Sequence, residues 1–321
     1  MREPDKPNDS FISVNPETEN RNDNARRLVG IALMCVALIC FSCLDAIGKW
    51  LGPQIGPLET TWARYISSVC LVSVVLNPWT KPGITRTKKP WMQAVRSLLL
   101  FASTMLNFLA LQYLQLMETM SIIFLAPLLV ALLSGPILGE WVGTRRMVAI
   151  GVGFVGVLIV TRPGTGHVHP AALFSLAGTF CYAFYVILTR ILAAHDSSAT
   201  TMFYSGLGGL MILTPIMPFV WRQPGDLTVV FFMVLIGAFG ALGHWLLILA
   251  YKRAPAPVLS PFIYTQLVWM MLLGYVVFGD IPDSWTLTGA AVVIASGLYL
   301  LHRERVTGRV ATNMGDPKNR I

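Results

Sequence analysis

Ten apolar blocks of roughly twenty residues each dominate this chain and restrict what it can become. They lie at 28–48, 58–77, 92–113, 117–138, 145–161, 170–192, 199–220, 227–250, 258–278 and 285–301. An α-helix rises about 1.5 Å per residue, so a block of this length crosses the roughly 30 Å hydrocarbon core of a bilayer. Within lipid no water reaches the backbone, and a spanning segment must satisfy its own N–H and C=O groups. The blocks are therefore expected to be transmembrane helices, and the chain an all-α polytopic membrane protein.

Composition leads to the same place. Of the 321 residues, 55% are hydrophobic and 12% charged, where soluble domains carry about 25% charged residues. With mean hydropathy at +0.62, too little polar surface remains to hold a folded chain in water. Connections are short and carry turn residues, among them Gly52-Pro53, Pro82-Gly83, Pro163-Gly164, Pro224-Gly225 and Pro282-Asp283. None is long enough for a soluble domain. Residues 1–27 are polar and rich in Asn and Pro, and are expected to form a disordered tail. They lack the short basic start and brief apolar core of a cleaved signal, and the first block begins only at Leu28.

The net charge of +8 would suit nucleic acid or anionic lipid, but the placement of the charges explains it better. With the N-terminus in the cytoplasm, nineteen Lys and Arg residues fall on the inner side and three on the outer, Lys49, Arg162 and Arg222. Basic residues accumulate in cytoplasmic loops. Both termini, including the tail 303–321, are thus expected in the cytoplasm of a bacterial cell, with the spans in its inner membrane. No nucleic-acid partner is expected. The five cysteines, Cys35, Cys40, Cys43, Cys70 and Cys181, lie inside apolar blocks and imply packing, not a disulfide framework or metal site.

The two halves superpose as sequences. The run Cys40–Leu51 matches Cys181–Leu192 at an offset of 141. At an offset of 140, Ala110 meets Ala250 and Gly139-Glu140 meets Gly279-Asp280, and a helix rich in small residues follows each acidic pair. Five helices per repeat is an odd number, so the second repeat must cross in the opposite sense. Inverted repeats of this kind place a substrate site near the bilayer midplane between two exchangeable states.

These residues carry a resemblance. Ala110-Leu-Gln-Tyr113, Pro127, Gly139-Glu140, Ala250-Tyr251, Gly279-Asp280 and the run from Gly289 to Leu300 resemble the EamA-type branch of the drug/metabolite transporter superfamily. The likeness implies ten transmembrane helices as two inverted repeats, 28–162 and 170–302, around a central cavity, and transport of a small organic metabolite. A narrower likeness, through Asp45–Lys49, Trp62–Tyr65 and Pro261–Gln266, is to bacterial transporters that take up riboflavin or S-adenosylmethionine. Riboflavin uptake is the specific expectation. S-adenosylmethionine uptake or exchange and amino-acid or drug efflux are the alternatives, and an intramembrane enzyme is the alternative from another class. No catalytic residue or cofactor is expected. No Gly-rich phosphate loop ending in Lys-Ser/Thr occurs, so an ion or substrate gradient is expected to drive transport. The oligomeric state is left open, a dimer included.

Ionisable residues inside a span are costly and mark pathways or partners. Asp45 and Lys49 are four residues apart on one helix face, where Asp45 is either a proton or cation carrier or half of a structural pair. Lys49 is expected to snorkel to the outer interface, Arg64 to close a network with Asp45, and Arg96 to anchor lipid headgroups. Glu118 is read as a helix end-cap or a gate, and His244 as a packing histidine or a proton relay. Tyr113, Tyr182, Tyr185, Tyr264 and Gln266 are candidate cavity residues, and Tyr182 and Tyr185 share a face at i,i+3. Gly139, Glu140, Gly279 and Asp280 are expected to support the fold, and Gly237, Gly240 and Gly243 to allow close helix packing.

Overall fold

A computed structural model describes residues 16–76, 82–139, 143–162, 169–192, 194–254 and 256–315, and contains no strand among them. The first half of the chain forms α1 (Pro16–Ile55), α2 (Pro57–Leu76), a 3-10 turn at Pro82–Thr85, α3 (Pro90–Leu111), α4 (Leu116–Ile123), α5 (Ala126–Leu138) and α6 (Thr144–Thr161). The second forms α7 (Ala172–Leu192), α8 (Ser198–Leu213), α9 (Met217–Val220), α10 (Leu227–Arg253) and α11 (Ala256–Leu259). A 3-10 segment (Ser260–Tyr264), α12 (Thr265–Phe278) and α13 (Ser284–Gly315) complete it. By length and composition, Ala25–Ile55, Pro90–Leu111, Leu116–Leu138, Ala172–Leu192 and Leu227–Arg253 can each cross a membrane. Shorter apolar helices accompany them, and the protein is an all-helical membrane protein with several spans.

Local chemistry sets where helices start and stop. Asp226 accepts a hydrogen bond from the Val229 N–H at 2.9 Å and caps α10, and Ser197 caps α8 through the Thr200 N–H at 3.1 Å. Gln115 and Glu118 form a reciprocal capping box on α4, so Glu118 is the end-cap of the two readings. At the other ends of their helices, Gly139 and Gly279 adopt left-handed φ angles of 76° and 69°. Only glycine enters that region without a Cβ penalty, and each closes a helix by returning its N–H to an orphan carbonyl.

Three spans that read as continuous in the sequence are interrupted. The block 117–138 breaks at Phe124-Leu125, 258–278 opens as a 3-10 segment before α12, and 199–220 breaks at Thr214–Ile216. Proline lies beside each break, at Pro127, Pro261 and Pro215, and withdraws an N–H from the helical ladder. Thr265 Oγ1 donates to the Phe262 carbonyl at 2.7 Å, a side-chain bond across the end of the 3-10 segment. The two ends of the chain also depart from expectation. Helix α1 starts at Pro16, so the tail 1–27 is helical from residue 16, and α13 runs past 302 to Gly315. A proline at a first helical position loses nothing, because that N–H has no intrahelical partner.

Packing couples the two halves. Helix α1 packs along α10, α3 along α7, and α6 along α13, with further contacts from α2 to α10 and from α3 to α8. Small residues allow the close approaches. A Cβ on Gly237 would lie 2.7 Å from the Ser68 backbone nitrogen and 2.9 Å from the Arg64 carbonyl oxygen, so α10 lies on the α2 backbone. Between α6 and α13, a Cβ on Gly156 would meet the Gly289 carbonyl oxygen at 2.9 Å. Near the end of α7, Asp196 ties the loop to α8 back onto the start of α3. It accepts from Thr87 Oγ1 at 2.5 Å, Gln93 Nε2 at 2.8 Å and the Lys88 N–H at 3.0 Å. Slight burial works the other way, but these bonds hold its carboxyl below the usual carboxylate range.

Two measurements follow from this packing. Gly237→Ala should destabilise the purified protein by about 1–3 kcal/mol through overpacking, seen as a lower melting temperature. Gly151→Ala, where nothing lies within 4 Å of an added Cβ, should be neutral or stabilising. Asp196→Ala should also melt earlier at pH 7. Because the folded-state carboxyl is depressed, its contribution is complete above the unfolded value of about 3.9 and is lost as pH falls through the folded value. The gap to the wild type should hold from pH 8 to 5 and close only below about pH 4.

Candidate functional site

At the centre of the helices lies a cavity of about 730 Å³. Polar side chains line it. Helix α1 contributes Asp45, α2 Arg64, α3 Ser103, Thr104 and Asn107, α10 His244, and α12 Gln266. The interrupted span adds Ile123, Phe124, Ala126, Pro127, Val130, Ala131 and Ser134, and α7 adds Ser175, Thr179, Tyr182, Val186 and Arg190. The interruption puts Phe124 against Tyr264, ring centroids 5.0 Å apart and edge to face. These two residues are 140 positions apart, as are Gly139 and Gly279. Irregular backbone at this depth is tolerated where it lines a cavity or is buried in protein, which is where both breaks lie.

Helix α3 organises two of the cavity's charged residues. Asn107 Nδ2 donates to Asp45 Oδ1 at 3.0 Å, and Arg64 Nη1 donates to Thr104 Oγ1 at 2.5 Å. Thr104 and Asn107 are three residues apart and share a face. Asp45 and Arg64 are thus each held from α3, and among the described residues no ion pair joins them. Tyr65 also donates to Thr104, at 3.1 Å, and Arg64 stacks over the Tyr65 ring at 5.2 Å. Asn107 Oδ1 is buried without a partner among the described residues, an arrangement that costs about 1–3 kcal/mol. Thr104 was not legible as a site residue in the sequence. Its signal was the i,i+3 spacing of Thr104 and Asn107 on a span that also carries Gln93, Arg96, Ser97 and Ser103.

Lys49 does not pair with Asp45. Its Nζ lies 2.7 Å from Asp280 Oδ2 and 4.7 Å from the centre of the Phe278 ring, so it is held by protein instead of snorkelling. The left-handed turn at Gly279 places Asp280 for this contact and returns the Asp280 N–H to the Gly274 carbonyl at 3.0 Å. Asp280 thus joins the end of α12 to α1. Its sequence counterpart Glu140 lies outside the described residues, as does His167. Arg96 is not a lipid anchor. It is 0% exposed and donates to Gln93 Oε1, Thr189 Oγ1, the Thr201 carbonyl and Ser205 Oγ.

Of the candidate residues, Asp45, Arg64, Tyr182, His244 and Gln266 meet at the cavity, and Tyr113, Tyr185 and Tyr264 do not line it. Tyr113 falls just past the end of α3, where it is 61% exposed and stacks on His169 with centroids 4.5 Å apart. Tyr264 is buried against Phe124, because the 3-10 segment turns it into the helix interface. Tyr185 lies behind Tyr182, with centroids 5.7 Å apart. His244 packs edge-on against Phe41 at 5.0 Å while still lining the cavity, and a smaller cavity of about 50 Å³ shares it and Arg64.

A bundle of apolar helices around a metabolite-sized cavity is the architecture of a membrane transporter for small molecules. The sequence signature of the EamA-like transporter family matches the chain twice, over residues 28–162 and 169–302, and the chain belongs to that family. It is similar to the S-adenosylmethionine uptake transporter of Rickettsia felis, 26% identical over 281 residues that cover 87% of this chain and 94% of the relative. The riboflavin transporter of Vibrio cholerae is 28% identical over 296 residues, covering 89% and 97%. The riboflavin transporter of Brucella anthropi is 25% identical over 290 residues, covering 87% and 100%. A solved structure, described only as the crystal structure of a protein, shares the fold with a TM-score of 0.57 at 15% identity, over 91% of this chain and 99% of its own.

The Lys49–Asp280 bridge is partly shielded, between the exposed and buried limits for ion pairs. Lys49→Ala and Asp280→Ala should each cost about 1–3 kcal/mol. The exchanged pair Lys49→Asp with Asp280→Lys should recover part of that loss. Thermal melts of the three variants in detergent check this, and a double variant no better than either single one contradicts the pairing.

Proposed function

We propose that this protein imports riboflavin across the bacterial inner membrane as a secondary transporter. In this reading ten transmembrane helices form two inverted repeats, 28–162 and 170–302, with both termini in the cytoplasm. The double match to the family signature supports the repeat, as do the left-handed glycines 140 residues apart and the two interrupted spans at the same offset. The helix contacts agree: exchanging the halves maps the packing of α1 on α10 onto that of α7 on α3.

The observation that carries the substrate is the cavity of about 730 Å³, lined by apolar, aromatic and polar side chains together. Its apolar residues and Tyr182 suit a planar aromatic ring. Asp45, Asn107, Arg64 and Gln266 suit a hydroxylated tail and ring amides, which offer both donors and acceptors. Charge bears on the choice. The cavity holds Arg64 and Arg190 as well as Asp45, a balance that favours a neutral ligand over a cation. The second reading, S-adenosylmethionine uptake, rests on the Asp45 carboxylate in the wall, which would serve as the counter-charge for a sulfonium. Asp45 is also the group we assign to proton coupling, the gradient that would drive either substrate.

Uptake of labelled riboflavin by a riboflavin-requiring bacterium expressing the chain tests the reading. Uptake above the empty vector is expected, with Asp45→Asn and Arg64→Gln each reduced about tenfold or more and dissipation of the proton gradient abolishing it. Properly inserted protein that moves S-adenosylmethionine and not riboflavin would select the second reading.

A further inference from the structure

Behind the cavity wall stands a column of three stacked side chains. Tyr182 lines the cavity and keeps 38% of its surface accessible. The Tyr185 ring lies against it, 5.7 Å between centroids and 30° between planes. The Arg96 guanidinium carbon lies 5.1 Å from the centre of the Tyr185 ring. Tyr182 and Tyr185 are three residues apart on α7, so one helix face presents both.

The base of the column is unusually well fixed. Arg96 is fully buried on α3 and bonds to oxygens from three helices: Gln93 on its own helix, Thr189 on α7, and the Thr201 carbonyl and Ser205 on α8. Gln93 in turn donates to Asp196, which relays a negative charge toward the guanidinium. Burying a cation is costly, and these acceptors offset the cost without placing a carboxylate against it. A planar guanidinium can stack on a ring while its edge makes these bonds, which a lysine ammonium cannot do. At the other end, Ser175, Gly178 and Thr179 precede Tyr182 along α7 and line the same cavity.

We infer that Tyr182 is the platform on which the planar heterocycle of the substrate stacks, and that Tyr185 and Arg96 are positioning residues that hold its plane. The inference rests on the riboflavin reading and adds to it the place and orientation of the ring. It also gives the buried Arg96 a role beyond joining helices: it determines the tilt of the surface the substrate meets.

Flavin fluorescence tests it, because an excited flavin in contact with a tyrosine takes an electron from the phenol ring and returns it, losing its emission with no net chemistry. Purified wild-type protein in nanodiscs should bind riboflavin and strongly quench it. Tyr182→Phe keeps a stacking ring that is hard to oxidise, so affinity should stay within about threefold while most of the quenching is lost. Tyr182→Leu should weaken binding about tenfold. Arg96→Lys should weaken binding and partly relieve quenching, and if that variant does not fold, the Tyr182 pair still decides. Riboflavin bound and quenched as in the wild type by Tyr182→Phe, or bound equally well by Tyr182→Leu, overturns the platform and leaves the flavin reading standing. A wild type that binds no riboflavin overturns both.

Discussion

A helix in lipid must keep its own backbone hydrogen bonds, and this constraint organises the whole molecule. Where a span obeys it without interruption, as in α3, α7 and α10, the helix is long and its role is to carry side chains. Where proline withdraws a donor, the freed groups need protein or a wet cavity around them. The two breaks at Phe124-Leu125 and Ser260–Tyr264 meet that need at the centre, where Phe124 and Tyr264 touch and the cavity opens beside them. The third break, at Thr214–Ile216, is exposed and lines none of the cavity, so a break marks the site only where the helices pack around it.

The polar residues of the interior obey a related rule, that a buried polar group needs a partner. Many buried hydroxyls bond to a carbonyl one turn back on their own helix, as Ser42, Thr60 and Ser121 do, while α3 carries the bonds that run between helices to Asp45, Arg64 and α8. The buried stripe of α3 runs through Gln93, Arg96, Ser97, Leu100, Thr104 and Phe108, and Asn107 stands beside it. One end of the stripe binds α7, α8 and the Asp196 loop, and the other holds Asp45 and Arg64 at the cavity. Helix α3 thus connects the structural network to the site, and movement of α7 or α8 against it would be felt at Tyr182 and at Asp45. The unpartnered Asn107 Oδ1 sits in the same place, beside the carboxylate that faces the cavity.

Membership of the EamA-like transporter family fits a fold whose working parts are few and central. Of the eight substrate or coupling candidates named from the sequence, Asp45, Arg64, Tyr182, His244 and Gln266 line the cavity. Asp45, Arg64 and His244 were visible because an ionisable side chain in an apolar span needs a reason to be there. Tyr182 was visible through its i,i+3 spacing with Tyr185. Tyr113 and Tyr264 were misplaced because an aromatic residue is at home in lipid, at an interface or in a core, so its presence in a span says little about where it points.

The sequence alone determined the class of protein and the apolar character of its helices. Hydrophobic length and the placement of Lys and Arg are properties of the chain itself, and repeated motifs survive without knowledge of contacts. Tertiary structure decided which charge meets which. Lys49 has Asp45 one turn away, yet Asp280, 231 residues on, takes it, because the left-handed turn at Gly279 points that carboxylate at α1. Arg96 reads as an interfacial cation, yet it is fully buried, because α7 and α8 bring hydroxyls and a carbonyl to its guanidinium. Spacing along one helix can list the neighbours a side chain could reach. The choice among them depends on the relative energies of partners from other helices, and those exist only once the helices have packed.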